Sequence, residues 1–300
     1  MEDMSLLNNT AFSISGGGTN FCSLAAMALV AKSKGIHPKV IIGVSAGAVM
    51  AVPLALHMHQ QIEDFAKNVT NDQIFKVSPV NKKGKISFKA IFRALTGKNS
   101  FGVQDIKPLI KEVVTKRIFE VYKNGNYADV YILAVDFDKG KRTVFKVKDL
   151  NYEQYLQAVS ASSRIPVMTQ PEIIQDIAYY DGGLRDHNAA NFLLEYLPEI
   201  NHLVSFYSRP QNYVVERLNS SENIMSVISR TIEILNIELS KNDEYKEKEF
   251  CKNRGIKLDQ LFAPERAHFY NTDKKELSRL YKLAKEYALN YFKNNTDEPI

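Results

Sequence analysis

The segment of residues 40–53, VIIGVSAGAVMAVP, constrains the fold of this chain more than any other feature. An apolar, β-branched run leads into a Gly-x-Ser-x-Gly motif formed by Gly43, Ser45 and Gly47, and a helical pattern follows at once. The two glycines permit a sharp turn between strand and helix, and such a turn presents the serine hydroxyl. The first N–H groups of the helix would also favour negative charge developing beside that hydroxyl. The segment therefore predicts a nucleophile elbow centred on Ser45.

A glycine-rich turn precedes this elbow. A short apolar segment at residues 11–15 runs into Gly16, Gly17 and Gly18, after which apolar residues recur at helical spacing. The order predicts a βαβ unit whose two loops leave the carboxyl ends of neighbouring parallel strands, side by side. The glycine loop would then offer backbone N–H groups to an oxyanion next to Ser45. A phosphate-binding loop is the alternative, but the Lys-Ser or Lys-Thr pair of a P-loop is missing.

Strand and helix patterns continue to about residue 210, and the chain beyond is helical and increasingly charged. This organisation predicts an α/β fold with a C-terminal helical appendage. The predicted elements are a helix at 103–117, a hairpin formed by strands at 129–136 and 143–147, a helix at 152–160, two short strands at 173–174 and 177–180 around a two-residue turn, a helix at 188–196, a strand at 202–207, and a last helix capped by Asp273.

Composition excludes several classes of protein. The chain has 300 residues, of which 45% are hydrophobic and 24% charged, as in an ordinary globular protein with a sizeable core. A net charge of +5 suits an anionic surface but is too small to predict nucleic-acid binding. Two distant cysteines predict neither a disulfide framework nor a metal site. Without a leader pattern or a membrane-spanning segment, we expect a cytoplasmic protein.

Two kinds of base for Ser45 remain open on the residues alone. A histidine triad would draw on His187, His202 or His268, but the α/β-hydrolase fold that carries such triads places more strands before its elbow. The alternative base is Asp181, which lies between an Ile- and Tyr-rich strand and two glycines. A partly desolvated aspartate has a raised pKa and is therefore a better base.

A basic segment at residues 81–99 stands apart in composition, because it holds six lysines and arginines and no acidic residue. Four of its apolar residues share one helical face: Phe88, Ile91, Phe92 and Leu95. One interpretation is a solvated cap helix that packs on the body through this face. The other is a helix that lies on an anionic membrane, with three membrane contacts: Lys85, Lys89 and Arg93.

Taken together, the motifs resemble the patatin-like phospholipase family over roughly residues 10–210. The resemblance rests on the glycine loop, the serine elbow, Ala-Ser-Ser-Arg-Ile-Pro at 161–166 and Asp-Gly-Gly-Leu-Arg-Asp-His-Asn at 181–188, in that order. It implies a three-layer α/β/α fold with a mostly parallel central sheet. It further implies a catalytic domain over residues 1–210 and a C-terminal helical extension, 211–300, packed on the same domain.

The resemblance also implies the chemistry. Ser45 would be the nucleophile and Asp181 its base, with the oxyanion hole formed by Gly16, Gly17 and Gly18. Members of the family are lipid acyl hydrolases that need no metal or cofactor, so we expect a phospholipid or lysophospholipid substrate and transient contact with an anionic membrane surface, with no nucleic-acid partner.

Three residues depart from the family pattern. Asn20 and Phe21 stand where the family has Arg or Lys followed by Gly, and Arg164 stands where a small or apolar residue is usual.

Three functions are compatible with these motifs. The first is a hydrolase that removes an acyl chain from a glycerolipid, and the second is a transacylase that uses the same Ser45 and Asp181 but passes the acyl group to an alcohol. The third is a non-catalytic lipid- or nucleotide-binding protein in which Asn20 and Phe21 mark lost activity. Product analysis with an added acceptor separates the first two, and an absence of turnover identifies the third.

Overall fold

The elements of the chain alternate along most of its length. The computed structural model describes residues 9–79, 87–96, 98, 100–197, 199–213, 224–266 and 272–294. Its strands are β1 (Thr10–Ile14), β2 (Val40–Val44), β3 (Phe75–Val77), β4 (Val103–Gln104), β5 (Asp129–Asp136), β6 (Lys141–Lys146), β7 (Glu172–Ile174), β8 (Ile177–Asp181), β9 (His202–Tyr207) and β10 (Lys257–Phe262). Its helices are α1 (Phe21–Ser33), α2 (Ala46–Ala55), α3 (His59–Asn68), α4 (Asn71–Ile74), α5 (Phe88–Leu95), α6 (Lys107–Val113), α7 (Lys116–Asn124), α8 (Tyr152–Ser162), α9 (Ala190–Tyr196), α10 (Ile224–Arg254) and α11 (Lys274–Asn294).

A mostly parallel sheet forms the middle layer, in the order β10-β9-β1-β2-β5-β8-β7. The first five strands of this order are parallel, whereas β6 and β8 run antiparallel to β5. Side chains alternate along β1, so that Phe12 packs under the layer containing α1, α2, α8 and α11, and Ala11 packs under α9 and α10. Burial of both faces explains the apolar runs of β1 and β2. The predicted α/β/α fold class is confirmed.

One edge of β5 brings the ends of two other strands together. β2 pairs in parallel with the first part of β5, where Val44 lies opposite Leu133. β8 pairs antiparallel with the last part of β5, where Asp181 lies opposite Ala134. Since β6 occupies the other edge of β5, β2 and β8 share this edge and run toward each other. Ser45 and Asp181 therefore meet at the junction.

Local predictions along the middle of the chain are confirmed with one exception. The β5–β6 hairpin is present, and Gln175 and Asp176 form the two-residue turn between β7 and β8 with φ angles of 50° and 62°. The predicted single helix over 103–117 is wrong. A short strand, β4, comes first, then Pro108 lies in the first turn of α6, and Thr115 caps a separate helix by accepting a hydrogen bond from the Ile118 N–H (3.3 Å).

The C-terminal segment contributes two helices and a strand. Asp273 caps α11 by accepting the Glu276 N–H (3.0 Å), and Leu277 and Leu280 of this helix are buried against α1 and α3. The strand β10, which we did not predict, pairs in parallel with β9 and extends the sheet. Charged and amide residues interrupt its apolar ones without a regular alternation, so its sequence gives only a weak strand pattern.

The basic segment forms α5, but its apolar face does not pack on the body. Exposed fractions are high for its four apolar residues: Phe88 84%, Ile91 44%, Phe92 62% and Leu95 81%. Ala90 is the buried residue instead, and Arg93 donates hydrogen bonds to the backbone and side chain of Ser100. The cap-helix interpretation is therefore wrong in its packing. Lys89 is exposed, and Lys85 lies outside the described residues.

Candidate active site

Ser45 occupies a strained turn between β2 and α2. Its φ of 53° and ψ of −113° lie in a region that non-glycine residues rarely adopt. The flanking glycines make the turn sterically feasible, because a Cβ on Gly43 would lie 2.5 Å from the backbone of Gly47, and a Cβ on Gly47 would lie 2.3 Å from the carbonyl oxygen of Ile14. The predicted elbow geometry is present in full.

A second serine holds the elbow to the sheet. The Ser45 N–H donates a hydrogen bond to the Oγ of Ser162 (2.9 Å), and that hydroxyl donates in turn to the carbonyl oxygen of Leu133 (2.6 Å). Ser162 thus satisfies a buried backbone donor that the sharp turn removes from the strand ladder. Ser162 belongs to the Ala-Ser-Ser-Arg motif, but its role could not be read from the sequence, because it depends on the contact between α8 and β5.

Asp181 lies next to the Ser45 hydroxyl, which stabilises its ionised form. Its Oδ1 accepts the Gly183 N–H (2.8 Å), and its own N–H donates to the carbonyl oxygen of Arg164 (2.7 Å). Burial raises the pKa of Asp181 to about 7, although the Ser45 hydroxyl and the Gly183 N–H lower it in part. A carboxylate with this pKa is matched to accepting a proton near neutral pH.

The histidine alternatives are less suited than Asp181 to act as the base. Burial lowers the pKa of His187 to about 3, so its ring, which lies against Gly16, stays neutral. His202 begins β9 and pairs with Asp259 (2.7 Å) at the amino end of the parallel strands, whereas Ser45 follows their carboxyl end. His268 lies outside the described residues.

The glycine loop lies beside Ser45, as the βαβ order predicts. A Cβ built on Gly16 would lie 3.3 Å from the Cβ of Ser45. The N–H of Gly16, however, donates to the carbonyl oxygen of His187 (3.1 Å), so it is not available to an oxyanion. Within the described part of the chain, the N–H groups of Gly17 and Gly18 have no hydrogen-bond partner. The predicted three-donor oxyanion site is thereby reduced to these two donors.

Ser208, at the end of β9, braces the loop from the other side. Its Oγ donates to the carbonyl oxygen of Gly16 (2.5 Å), and its N–H donates to the Oγ of Ser15 (3.0 Å). A Cβ on Gly17 would lie only 2.4 Å from the Cβ of Ser208, which explains why glycine is required there. No sequence motif marks Ser208, because its contact depends on the pairing of β9 with β1.

The residues that depart from the family pattern have structural roles. Asn20 is buried, and both its N–H and its Nδ2 donate to the carbonyl oxygen of Gly17 (3.0 and 3.1 Å). Phe21 packs edge-on against Phe65, with 4.7 Å between ring centroids. Arg164 is buried in an ion pair with Glu172 (2.8 Å).

An apolar cleft of about 670 Å³ opens next to Ser45 and Gly18. Most of its remaining wall is apolar: Phe21, Val49, Phe65, Val69, Ile74, Phe75, Ile106 and Ile165. Such a wall suits a hydrocarbon chain whose polar end lies at the serine. Among the described residues, no group of three His, Cys, Asp or Glu side chains is arranged to hold a metal ion.

The sequence profile of the Patatin-like phospholipase family matches residues 12–194, which is more than half of the 300 residues. The chain belongs to the patatin-like phospholipase family. The Ser45 elbow and Asp181 both lie within the matched region, as the motifs led us to expect. By contrast, no curated protein matches the chain in sequence.

Solved structures extend the likeness beyond residue 194. VipD from Legionella pneumophila superposes with a TM-score of 0.52 at 14% identity, over 96% of this chain and 67% of VipD. The type III effector protein ExoU gives a TM-score of 0.42 at 11% identity, over 97% of this chain and 54% of ExoU. ExoU of Pseudomonas aeruginosa in complex with SpcU gives 0.38 at 12% identity, over 97% and 53%. The chain thus spans about half the length of the ExoU chains, and the VipD likeness supports the fold.

Proposed function

We propose that this patatin-like protein is a lipid acyl hydrolase that works through a dyad of Ser45 and Asp181. The observation that carries the proposal is the placement of the Ser45 hydroxyl, on its strained turn, beside a buried carboxylate whose pKa is about 7. Buried acids with such pKa values are typical of groups that exchange protons during catalysis. Family membership supports the substrate class, and the apolar cleft beside Ser45 supports a fatty acyl chain.

In the first half of the reaction, the Ser45 oxygen attacks the ester carbonyl while Asp181 accepts the hydroxyl proton. The negative charge that develops on the carbonyl oxygen is stabilised by the N–H groups of Gly17 and Gly18, and each such donor is worth roughly 3 kcal/mol of barrier. Collapse of the tetrahedral intermediate breaks the ester bond. Asp181 returns its proton to the departing alcohol, which leaves an acyl-enzyme.

In the second half, water takes the place of the alcohol. Asp181 accepts a proton from this water, whose oxygen attacks the acyl-enzyme carbonyl, and the proton then passes to Ser45 as the fatty acid leaves. One carboxylate therefore serves both half-reactions. Its pKa near neutrality suits both directions of proton transfer.

Access to a lipid substrate requires contact with a membrane, and α5 supports such contact. Its exposed apolar face carries Phe88 and Phe92, with the exposed cation Lys89 on the same helix. This combination suits shallow insertion into an anionic lipid surface. Within the residues that the structure describes, every helix is too short or too polar to cross a bilayer. We therefore infer transient, peripheral contact, whereas a cytoplasmic location remains a prediction.

A lipid panel scored by mass spectrometry tests the proposal. Purified protein is incubated with phospholipids and lysophospholipids in mixed vesicles, with and without an added alcohol acceptor, and Ser45→Ala serves as the blank. We expect free fatty acid that depends on Ser45. Acyl transfer to the acceptor in place of fatty acid would support a transacylase, and equal products from wild type and Ser45→Ala would contradict the dyad.

A further inference from the structure

Two apolar cavities lie in series along one face of α2. The outer one is the cleft beside Ser45, which touches Ala46 and Val49. The inner one, farther from Ser45, is much smaller and partly open to solvent, and it touches Val49, Met50 and Pro53. These residues follow each other along the helix, so the two cavities lie one after the other over roughly 10 Å from the nucleophile, at about 1.5 Å per residue.

The rings of Phe21 and Phe65 stand between these cavities. Both side chains line the outer cleft and the inner cavity, and they pack edge-on with 4.7 Å between ring centroids. Beyond them, the wall of the inner cavity includes Leu109, Ile110 and Val113 of α6. The inner cavity is therefore an apolar pocket with little free space of its own, and the aromatic pair separates it from Ser45.

We propose that the pair of Phe21 and Phe65 is a partition that limits how much of an acyl chain enters the enzyme. This inference rests on the proposed hydrolase function and names the residues that determine its specificity for acyl-chain length. An acyl chain on Ser45 would fill the outer cleft and stop at the two rings, and further methylene groups would stay outside. Added chain length would then raise the specificity constant only until the outer cleft is full, because buried methylene groups carry the binding energy.

The test compares kcat/KM for p-nitrophenyl esters with butanoyl, octanoyl, dodecanoyl and hexadecanoyl chains. For wild type we expect a rise that levels off within the series. In Phe21→Ala the cavities join, and we expect kcat/KM for the longest ester relative to octanoyl to rise about tenfold, as expected from burying about two more methylene groups. Phe65→Ala should act in the same direction, and the milder Phe21→Leu should give a smaller rise.

Two further variants separate the partition from a general loosening of the cleft. Phe75 lines the outer cleft but not the inner cavity, so Phe75→Ala enlarges the cleft without joining the two spaces, and the ratio should rise less than in Phe21→Ala. Val113→Phe fills the inner cavity, so adding it to Phe21→Ala should return the ratio toward wild type. Labelling of Ser45 by a small fluorophosphonate confirms that each variant retains a folded site.

The outcomes distinguish the partition from the hydrolase proposal on which it rests. Variants at Phe21 and Phe65 that label normally but keep the wild-type ratio would overturn the partition while leaving the hydrolase intact. An equal rise in Phe75→Ala would also overturn it. If wild type hydrolyses none of the esters and Ser45 remains unlabelled, the hydrolase proposal fails, and the partition fails with it.

Discussion

Asp181 combines burial with proximity to a hydroxyl group, and its chemistry follows from both. A carboxylate in water, with a pKa of 3.8, would be fully ionised at neutral pH but weakly basic. Burial at the end of β8 raises the pKa to about 7, while the Gly183 N–H keeps one carboxylate oxygen hydrogen-bonded. The burial that strengthens this base also destabilises the folded protein, because the ionised carboxylate is desolvated there.

Asp181→Asn should therefore stabilise the protein at alkaline pH. The folded-state pKa lies above the unfolded value, so the contribution of Asp181 to stability is present at low pH and is lost as pH rises through about 7. We expect the variant to exceed wild type by on the order of 4 kcal/mol at pH 8, about 1.4 kcal/mol for each pH unit between the two pKa values, and to match it near pH 4. Urea unfolding at both pH values measures this difference.

Other buried acids, such as Asp243 and Glu247, also have raised pKa values. Their contributions to stability cancel when the variant is compared with wild type at the same pH. An Asp181→Asn protein that is less stable than wild type at pH 8 would show that the carboxylate is not desolvated as described.

Sequence alone pointed to the two residues of the proposed dyad, Ser45 and Asp181, because each lies within a short local motif, and the structure places the two side by side. The oxyanion loop was predicted less well. The N–H of Gly16 is taken by the carbonyl oxygen of His187, a residue 171 positions later (187 − 16). Such a pairing depends on the assembled fold, so local sequence carries no sign of it.

At the scale of elements, the approach of β2 to β8 creates the candidate site, and the exposed face of α5 carries the proposed contact with lipid. These three elements were predicted, but their placement was not. The hairpin pattern predicts that β8 pairs with β7. The pairing of β8 with one edge of β5 is a long-range contact, which local sequence does not reveal. The exposed face of α5 is likewise decided by Ala90 and Arg93, which face the body and leave Phe88 and Phe92 in solvent.

Replacing Phe88 and Phe92 together by Ser should weaken binding to anionic vesicles by about tenfold or more, because each buried Phe side chain contributes roughly 1.5–3 kcal/mol. Vesicle flotation or sedimentation measures the change. Tyr245→Ser, which removes an exposed ring from α10, is the matched control and should leave binding unaltered. Equal binding by the double variant and wild type would remove α5 from the membrane contact.

Charge reversal on α5 tests different things at Lys89 and at Arg93. Lys89 is exposed, so Lys89→Glu should weaken vesicle binding at low salt through electrostatics alone. Arg93 also holds the helix to Ser100, so Arg93→Glu would disturb the seating of the helix as well as its charge. Lys89 is therefore the better position for testing the effect of charge alone on vesicle binding.

At the scale of the whole molecule, the C-terminal segment is part of the architecture around the site although the family match ends at residue 194. Asp243 on α10 accepts the N–H of Asn188 (3.0 Å), in the loop that follows Asp181. Asn188 in turn accepts hydrogen bonds from the Ser13 hydroxyl and the Ala190 N–H. Helix α10 thus helps to hold the loop between β8 and α9 against β1. One acid among many in a charged helix gives no sequence signal for this role.

Asp243 should act as a positioning residue through its hydrogen-bond acceptor rather than its charge. Burial raises its pKa to about 7, so it is partly protonated near neutrality. Asp243→Asn keeps a carbonyl oxygen for the Asn188 N–H and should retain most activity. Asp243→Ala leaves that buried N–H unpaired, at a cost of about 1–3 kcal/mol, and should lower kcat more than it changes KM.

Ester hydrolysis by the two variants at equal folded fraction, verified by circular dichroism, measures the split between kcat and KM. Equal loss of activity in Asp243→Asn and Asp243→Ala would instead assign the effect to charge.

Activation of Ser45 by Asp181 can be followed through the pH dependence of fluorophosphonate labelling. Intact-protein mass spectrometry, with peptide mapping, follows labelling of wild type, Ser45→Ala and Asp181→Asn across pH 5–9. We predict a single adduct on Ser45, with a rate that rises through about pH 7 and then levels off as Asp181 ionises. Asp181→Asn should label slowly at every pH. Labelling of Asp181→Asn at the wild-type rate at pH 8, or an adduct on Ser45→Ala, would contradict the account.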